Sequence, residues 1–334
     1  MNNMKNLKLY FILTLVIIVA GIFYFSNNKG TLNLRNADFS VNSQQDVTKI
    51  QMYTPDDNLI LEKENGQWKV NEKYNATQKN VENLILALNR VIVLSPVSKA
   101  EKEQVASILK ADGVLVKVLK NRRTLKEFYV SKPAMNKEKT YMMMENSSEP
   151  FVVSIPAFRG LLAELFVLDE NYWRNKIIFD YEPQDIKKIK IDYQQNPAKS
   201  FEVINYNDGT FAIQNLSKNS YLSDFNVERV ARYFTYYQRI AFEDVVNGLP
   251  KYKIDSVLHS EPYCIISVQD DQGNKNKIAI YQKPAENKFD EFGQKVKFDY
   301  HKAYATFNNN QELITIQYYI FDPLFKEIDY FRSQ

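Results

Sequence analysis

The chain has 334 residues, with 43 basic and 40 acidic side chains and a net charge of +3. That balance, with no basic stripe along the sequence, argues against a nucleic-acid partner. A hydrophobic share of 45%, with 9 glycines and 11 prolines, excludes a disordered or low-complexity chain and is long enough for two domains.

Residues 9–25 form an uncharged apolar run. As a helix it spans about 26 Å, slightly short of the ~30 Å hydrocarbon core, and Leu7 with a snorkelling Lys8 extends it. Tyr10 and Tyr24 suit the two interfaces. The run ends in bulky Ile22-Phe23-Tyr24-Phe25, without the small-x-small pattern of a cleaved signal peptide. The expectation is a cytoplasmic stub and retained transmembrane helix over 1–26, in the inner membrane, with a periplasmic body. Residues 27–45 are polar and read as a tether.

A first α+β unit is predicted over 46–170. Strands at 47–53 and 59–63 lead to Asn65-Gly66, a hairpin signal, and Trp68-Lys69-Val70 continues as a third strand. Thr77 stands where a helix cap is needed, and Val81, Leu84, Leu88 and Val91 share one helical face. Strands at 113–119 and 124–130 flank the turn Asn121-Arg122-Arg123. Strands at 141–145 and 151–154 and a short amphipathic helix at 158–166 close the unit. A bridge over 171–184 follows, with Pro183 near its end.

The second unit, 185–334, repeats this order. Strands at 186–193 and 201–206, the turn Asn207-Asp208-Gly209 and the strand Phe211-Ala212-Ile213 come first. A helix is predicted from near Ser223-Asp224, with Val227, Val230, Phe234, Tyr237 and Ala241 on one face. A hairpin at 263–270 and 277–281, strands at 304–308 and 313–321, and a helix at 323–330 complete it. Gly209 lies 143 positions after Gly66, and Val230 lies 146 after Leu84. Such near-constant offsets imply a duplication. The expected fold class is α+β, with one transmembrane helix before two tandem, related units of antiparallel sheet with packed helices.

Chemistry is sparse. Cys264 is the single cysteine and lies in an apolar run, so it reads as a buried strand residue, with no disulfide or Cys-based zinc site. His259 and His301 fall outside any metal-binding spacing or nucleophile elbow, and no glycine-rich phosphate loop occurs. Asp56-Asp57 and Asp270-Asp271 suit turns. No catalytic, cofactor-binding or metal residue is therefore assigned, and the chain reads as a non-enzyme. Tyr172-Trp173-Arg174 is the candidate partner or ligand surface, because an arginine beside a tryptophan can stack on it or bind an anion.

Several stretches are shared with a known family: Asn36-Ala37-Asp38-Phe39, Gly66-Gln67-Trp68-Lys69-Val70-Asn71, Leu94-Ser95-Pro96-Val97, the run from Pro150 to Pro156, Trp173-Arg174 and Ser200-Phe201-Glu202-Val203. On these the sequence resembles the bacterial envelope family called domain of unknown function 4340. Two turns depart from it. Ala157 replaces a family glycine in Pro-Gly-Phe, and Ser131-Lys132 stands where glycines are usual. The resemblance implies a membrane-tethered, extracytoplasmic accessory or scaffold protein, alongside an ABC-transporter component or a gliding-motility-type complex. It assigns no catalytic residue. The alternative expectation is a binding protein for a small molecule, glycan or lipid in a cleft between the two units.

Overall fold

The computed structural model describes residues 15–19, 36–42, 47–286, 289 and 292–333, in two compact units that meet in sequence at Asn175 and Lys176. Residues 15–19 are helical, and the rest of the expected membrane helix lies outside the described residues. Among the described residues no helix is long and apolar enough to cross a membrane. Part of the expected tether belongs to the first core: Phe39 and Val41 are buried, and the Val41 amide donates to the Leu88 carbonyl at 3.1 Å.

The first unit contains β1 (Lys49–Tyr53), β2 (Asn58–Glu64), β3 (Gln67–Val70), β4 (Tyr74–Asn75), α1 (Gln78–Arg90), β5 (Ile92–Pro96), α2 (Lys102–Asp112), β6 (Val114–Lys120), β7 (Arg123–Val130), β8 (Thr140–Met144), β9 (Phe151–Ser154) and α3 (Glu170–Trp173). Nine strands form one antiparallel sheet in the order β4-β3-β2-β1-β6-β7-β8-β9-β5. Strand alternation decides which side chains enter the core. Val114, Val116 and Val118 of β6 point one way, with Phe128 and Val130 of β7, onto the buried face of α1 formed by Val81, Leu84, Ile85 and Leu88. Consecutive Met142 and Met143 go to opposite faces. Met142 joins that core, while Met143 packs with Val105, Ala106 and Leu109 of α2 on the other side.

The second unit contains β10 (Ile177–Phe179), β11 (Ile186–Asp192), β12 (Phe201–Asn205), β13 (Phe211–Asn215), β14 (Ser220–Tyr221), α4 (Val227–Phe234), β15 (Ile240–Ala241), β16 (Asp244–Val245), α5 (Lys251–Leu258), β17 (Cys264–Asp270), β18 (Lys275–Pro284), β19 (Phe298–Phe307), β20 (Ile314–Gln317) and α6 (Tyr318–Phe321). Its sheet order is β14-β13-β12-β11-β17-β18-β19-β20-β16, the first unit's order strand for strand. The helices α4 and α5 fall at the same places in the chain as α1 and α2. The same split of faces recurs: Ile280 enters the main core, and Tyr281 packs with Val257 and Leu258 of α5 on the reverse.

Several sequence expectations need correction. The second unit's helix starts at Val227, not near Ser223, because the Leu222 amide still pairs with the Ile213 carbonyl and Asn226 supplies the cap. Val227 is half exposed in the first turn, and Ala241 belongs to a strand. The expected strand 313–321 stops at Gln317, where the helical turn α6 rotates Phe321 into the core. The closing helices shrink to single 3-10 turns, Leu162–Leu165 and Ile328–Phe331. The short strands β5 and β16 and the helices α2 and α5 were not anticipated.

Candidate functional site

Asp169 caps α3 by accepting the Asn171 amide, and this turn places the three residues singled out in the sequence. Trp173 is 1% exposed, and its Nε1 donates to the Val167 carbonyl at 2.7 Å. Its carbonyl accepts the Thr77 amide at 2.6 Å, and the Arg174 carbonyl accepts the Thr77 hydroxyl at 3.1 Å. The Arg174 guanidinium stacks 3.8 Å from the centre of the Tyr74 ring. Tyr172 meets Trp173 edge-on at 5.0 Å and remains 45% exposed. Trp173 and Arg174 thus fasten the end of the first unit to its own β4–α1 corner. Tyr172 is the member of the three that offers a ring to solvent.

A cavity of about 840 Å³ opens in the second unit. It is built on the β18–β19 hairpin. Gln282 pairs with Ala303 and Pro284 with Phe298, so Lys283 alone stands opposite residues 299–302. The surplus forms a bulge, a device that re-aims side chains at the end of a ladder. Asp299 secures the bulge internally: its Oδ1 accepts the amides of His301 at 2.8 Å and Lys302 at 3.0 Å. Lys283 is 9% exposed and donates to Asp299 Oδ2 and Glu286 Oε1, each at 2.9 Å. Lys302 pairs with Glu243 Oε1 at 2.8 Å, and Gln317 donates to the same oxygen at 2.6 Å. Asp244 is paired with Lys176 at 3.2 Å. Tyr300 lies on the rim, 58% exposed, with its ring centre 4.1 Å from that of His301.

The electrostatics fix these charges. Burial alone would raise the Asp299 carboxyl, but the Lys283 ammonium and the two backbone amides hold it below the usual carboxylate range. Glu243 is likewise lowered, with burial outweighed by Lys302 and Gln317. Burial would lower Lys283, yet bonds to Glu286 and Asp299 raise it. Each shift moves a group away from neutrality, opposite to the tuning of a general acid or base. The cavity therefore offers fixed ionic donors and acceptors. Elsewhere, Cys264 is buried and its thiol is pushed up by burial, which removes its nucleophilic form. Among the described residues no group of three or more His, Cys, Asp or Glu could hold a metal ion.

A family model described as a domain of unknown function, DUF4340, matches residues 68–264, more than half of the chain. The chain belongs to that family. The DUF4340 match begins at Trp68 in β3 and ends at Cys264, so it includes later parts of the first unit and earlier parts of the second. It covers the Tyr172–Arg174 corner and, from the cavity, Glu243 and Asp244. Lys283, Asp299 and Lys302 lie beyond it. No curated protein and no solved structure matches the chain.

The sequence reading missed the cavity because its residues follow no catalytic spacing. The available signal was Asp299, whose side chain can close a turn on the amides two and three residues ahead.

Proposed function

We propose that this DUF4340 protein is a non-enzymatic accessory or scaffold protein, anchored in the inner membrane by residues 9–25 with its two-unit body outside the cytoplasm. Its partner would be a membrane complex, such as an ABC-transporter component or a gliding-motility-type assembly. The observation that supports the non-enzymatic part is the mutual pairing of the cavity's charges, Lys283 with Asp299 and Glu286 and Lys302 with Glu243. Such a surface grips polar groups but does not shuttle protons. Crosslinking in native membranes, followed by purification in mild detergent, tests the role. The expected result is a membrane-protein adduct, with the chain resisting alkaline carbonate extraction. A chain that washes off would remove the anchor, and one that purifies alone would remove the scaffold role.

A second reading, a binding protein for a small molecule, glycan or lipid, is favoured by the cavity itself. Its site would be within the second unit, on the β18–β19 hairpin.

A further inference from the structure

The two units share one plan, so their differences show where something has been added. In the first unit β7 and β8 have 8 and 5 residues, and residues 131–139 connect them. In the second unit the corresponding β18 and β19 have 10 residues each, and residues 285–297 connect them. The additional strand length and the bulge supply Lys283 and the stretch from Asp299 to Lys302. The first unit's connection turns on simpler contacts: Ser131 Oγ accepts the Tyr141 amide at 3.0 Å, and Lys132 pairs with Asp112 at 2.6 Å.

We infer that the cavity on the β18–β19 hairpin is a binding site for a neutral saccharide, which deepens the binding-protein reading given above. The charge arrangement selects the ligand class. Each of the four carboxylates lining the cavity, Glu243, Asp244, Glu286 and Asp299, already has a lysine partner. An anion would meet the carboxylates already beside Lys283 and Lys302, and a cation would meet the lysines already beside Glu243, Asp244, Glu286 and Asp299. Either approach sets like charges side by side, and at the Lys283–Asp299 pair, where the side chains are 11% and 17% exposed, breaking the pairing would leave a partly buried charge uncompensated, which is costly. A sugar hydroxyl requires neither. It donates to the remaining carboxylate lone pairs and accepts from the remaining ammonium hydrogens.

The aromatic surroundings fit the same class. A neighbouring concavity of about 400 Å³ shares Tyr300, His301 and Lys302 with the main one and adds Tyr319. Tyr300 is 58% and Tyr319 74% exposed, so both rings are open to solvent beside the ion pairs. A pyranose has an apolar C–H face and a polar rim, and it can stack on a tyrosine while its hydroxyls reach the paired charges. The open shape admits several linked sugar units, and the main cavity falls within the roughly 300–1,000 Å³ usual for ligand sites. The polar groups are already held by the bulge and by one another, so little ordering remains to be done on binding.

Calorimetric titration of the full chain in detergent micelles tests this, with maltohexaose, cellohexaose and chitohexaose as probes and spermidine as the cationic control. At least one hexasaccharide should bind, with an affinity nearly unchanged between low and high salt, because the ligand is neutral. Tyr300→Ala and Tyr319→Ala should each weaken binding by roughly two- to tenfold, the scale of a lost aromatic contact. Both rings are exposed, so the melting temperature should hold, and Tyr172→Ala in the first unit should leave the affinity unchanged. The site is overturned if none of the three sugars binds, or if binding is indifferent to both tyrosines. Salt-sensitive binding of spermidine alone would also overturn it, assigning the cavity to cations. A membrane partner captured without sugar binding would leave the accessory role standing and remove only this site; sugar binding without a partner would do the reverse.

Discussion

Ala157 holds φ at +61°, where a Cβ crowds the neighbouring carbonyl and glycine is favoured. This is the turn where the resemblance leads one to expect a glycine, and the φ found here is one that glycine adopts without strain. Ala157→Gly should therefore raise first-unit stability by about 0.5–1 kcal/mol, the reverse of the usual effect of adding a glycine. A rise in the denaturant midpoint at unchanged slope would show it. Lys283 and Asp299 give a second prediction at this scale. A carboxyl lowered in the folded state contributes stability above the ordinary Asp value near 4, and that contribution is lost as pH falls through the lower folded value. Lys283, being raised, contributes fully below the ordinary lysine value near 10 and loses its contribution only as pH rises through the raised value. The pair is therefore intact across neutral pH. Asp299→Asn should cost about 1–3 kcal/mol at neutral pH, less than for a fully buried pair. It should also flatten the loss of second-unit stability below pH 4. Unfolding curves at pH 3, 5 and 7 measure both effects, and an acid limb identical to the parent's would refute the assignment.

The starts of α1 and α4 are secured differently. Thr77 occupies the N-cap position of α1, but its hydroxyl donates to Arg174 and makes no cap bond. Asn226 is a working cap, accepting the Arg229 amide at 3.0 Å. Asn226→Ala should cost about 1 kcal/mol and Asn226→Asp much less, read as shifts in the second unit's denaturant midpoint. At the other end of a helix, Gly113 turns α2 into β6 with its amide on the Leu109 carbonyl. A Cβ there would lie 2.3 Å from that carbonyl oxygen, which is backbone and cannot swing aside. Gly113→Ala should destabilise the first unit by about 1–3 kcal/mol, the range for forced overpacking. Elements with strong local patterns were legible in the sequence. Asn65 and Gly66 both take positive φ, as their hairpin signal requires, and Val81, Leu84 and Leu88 form the buried face of α1. Elements governed by distant contacts were not. The helix α5 has no fully buried residue, so it carries almost no periodic signal, and β5 keeps most of its side chains exposed. The candidate cavity was illegible for a related reason: Lys302 meets Glu243 only through the sheet, across more than fifty positions of chain.

At the scale of the whole molecule, the same nine-strand order appears in both units, which fits the repeat that the sequence offsets led one to expect. Each unit gathers its own core: Trp173 is the last buried member of the first and Ile178 the first of the second. Sheets of this kind depend on pairings such as β1 with β6 and β11 with β17, which span long stretches within one unit. Loss of a core residue should thus disrupt its own unit cooperatively. Leu61 in the first core and Ile266 in the second are both fully buried. Replacing either with alanine should cost about 2–5 kcal/mol. For units of this size that corresponds to a drop of roughly 10 °C in one melting transition. Calorimetry of the parent should resolve two transitions, with Leu61→Ala lowering one and Ile266→Ala the other. If either substitution moves both transitions together, the two units unfold as a single cooperative body, and stability effects in one unit would have to be charged to the whole chain.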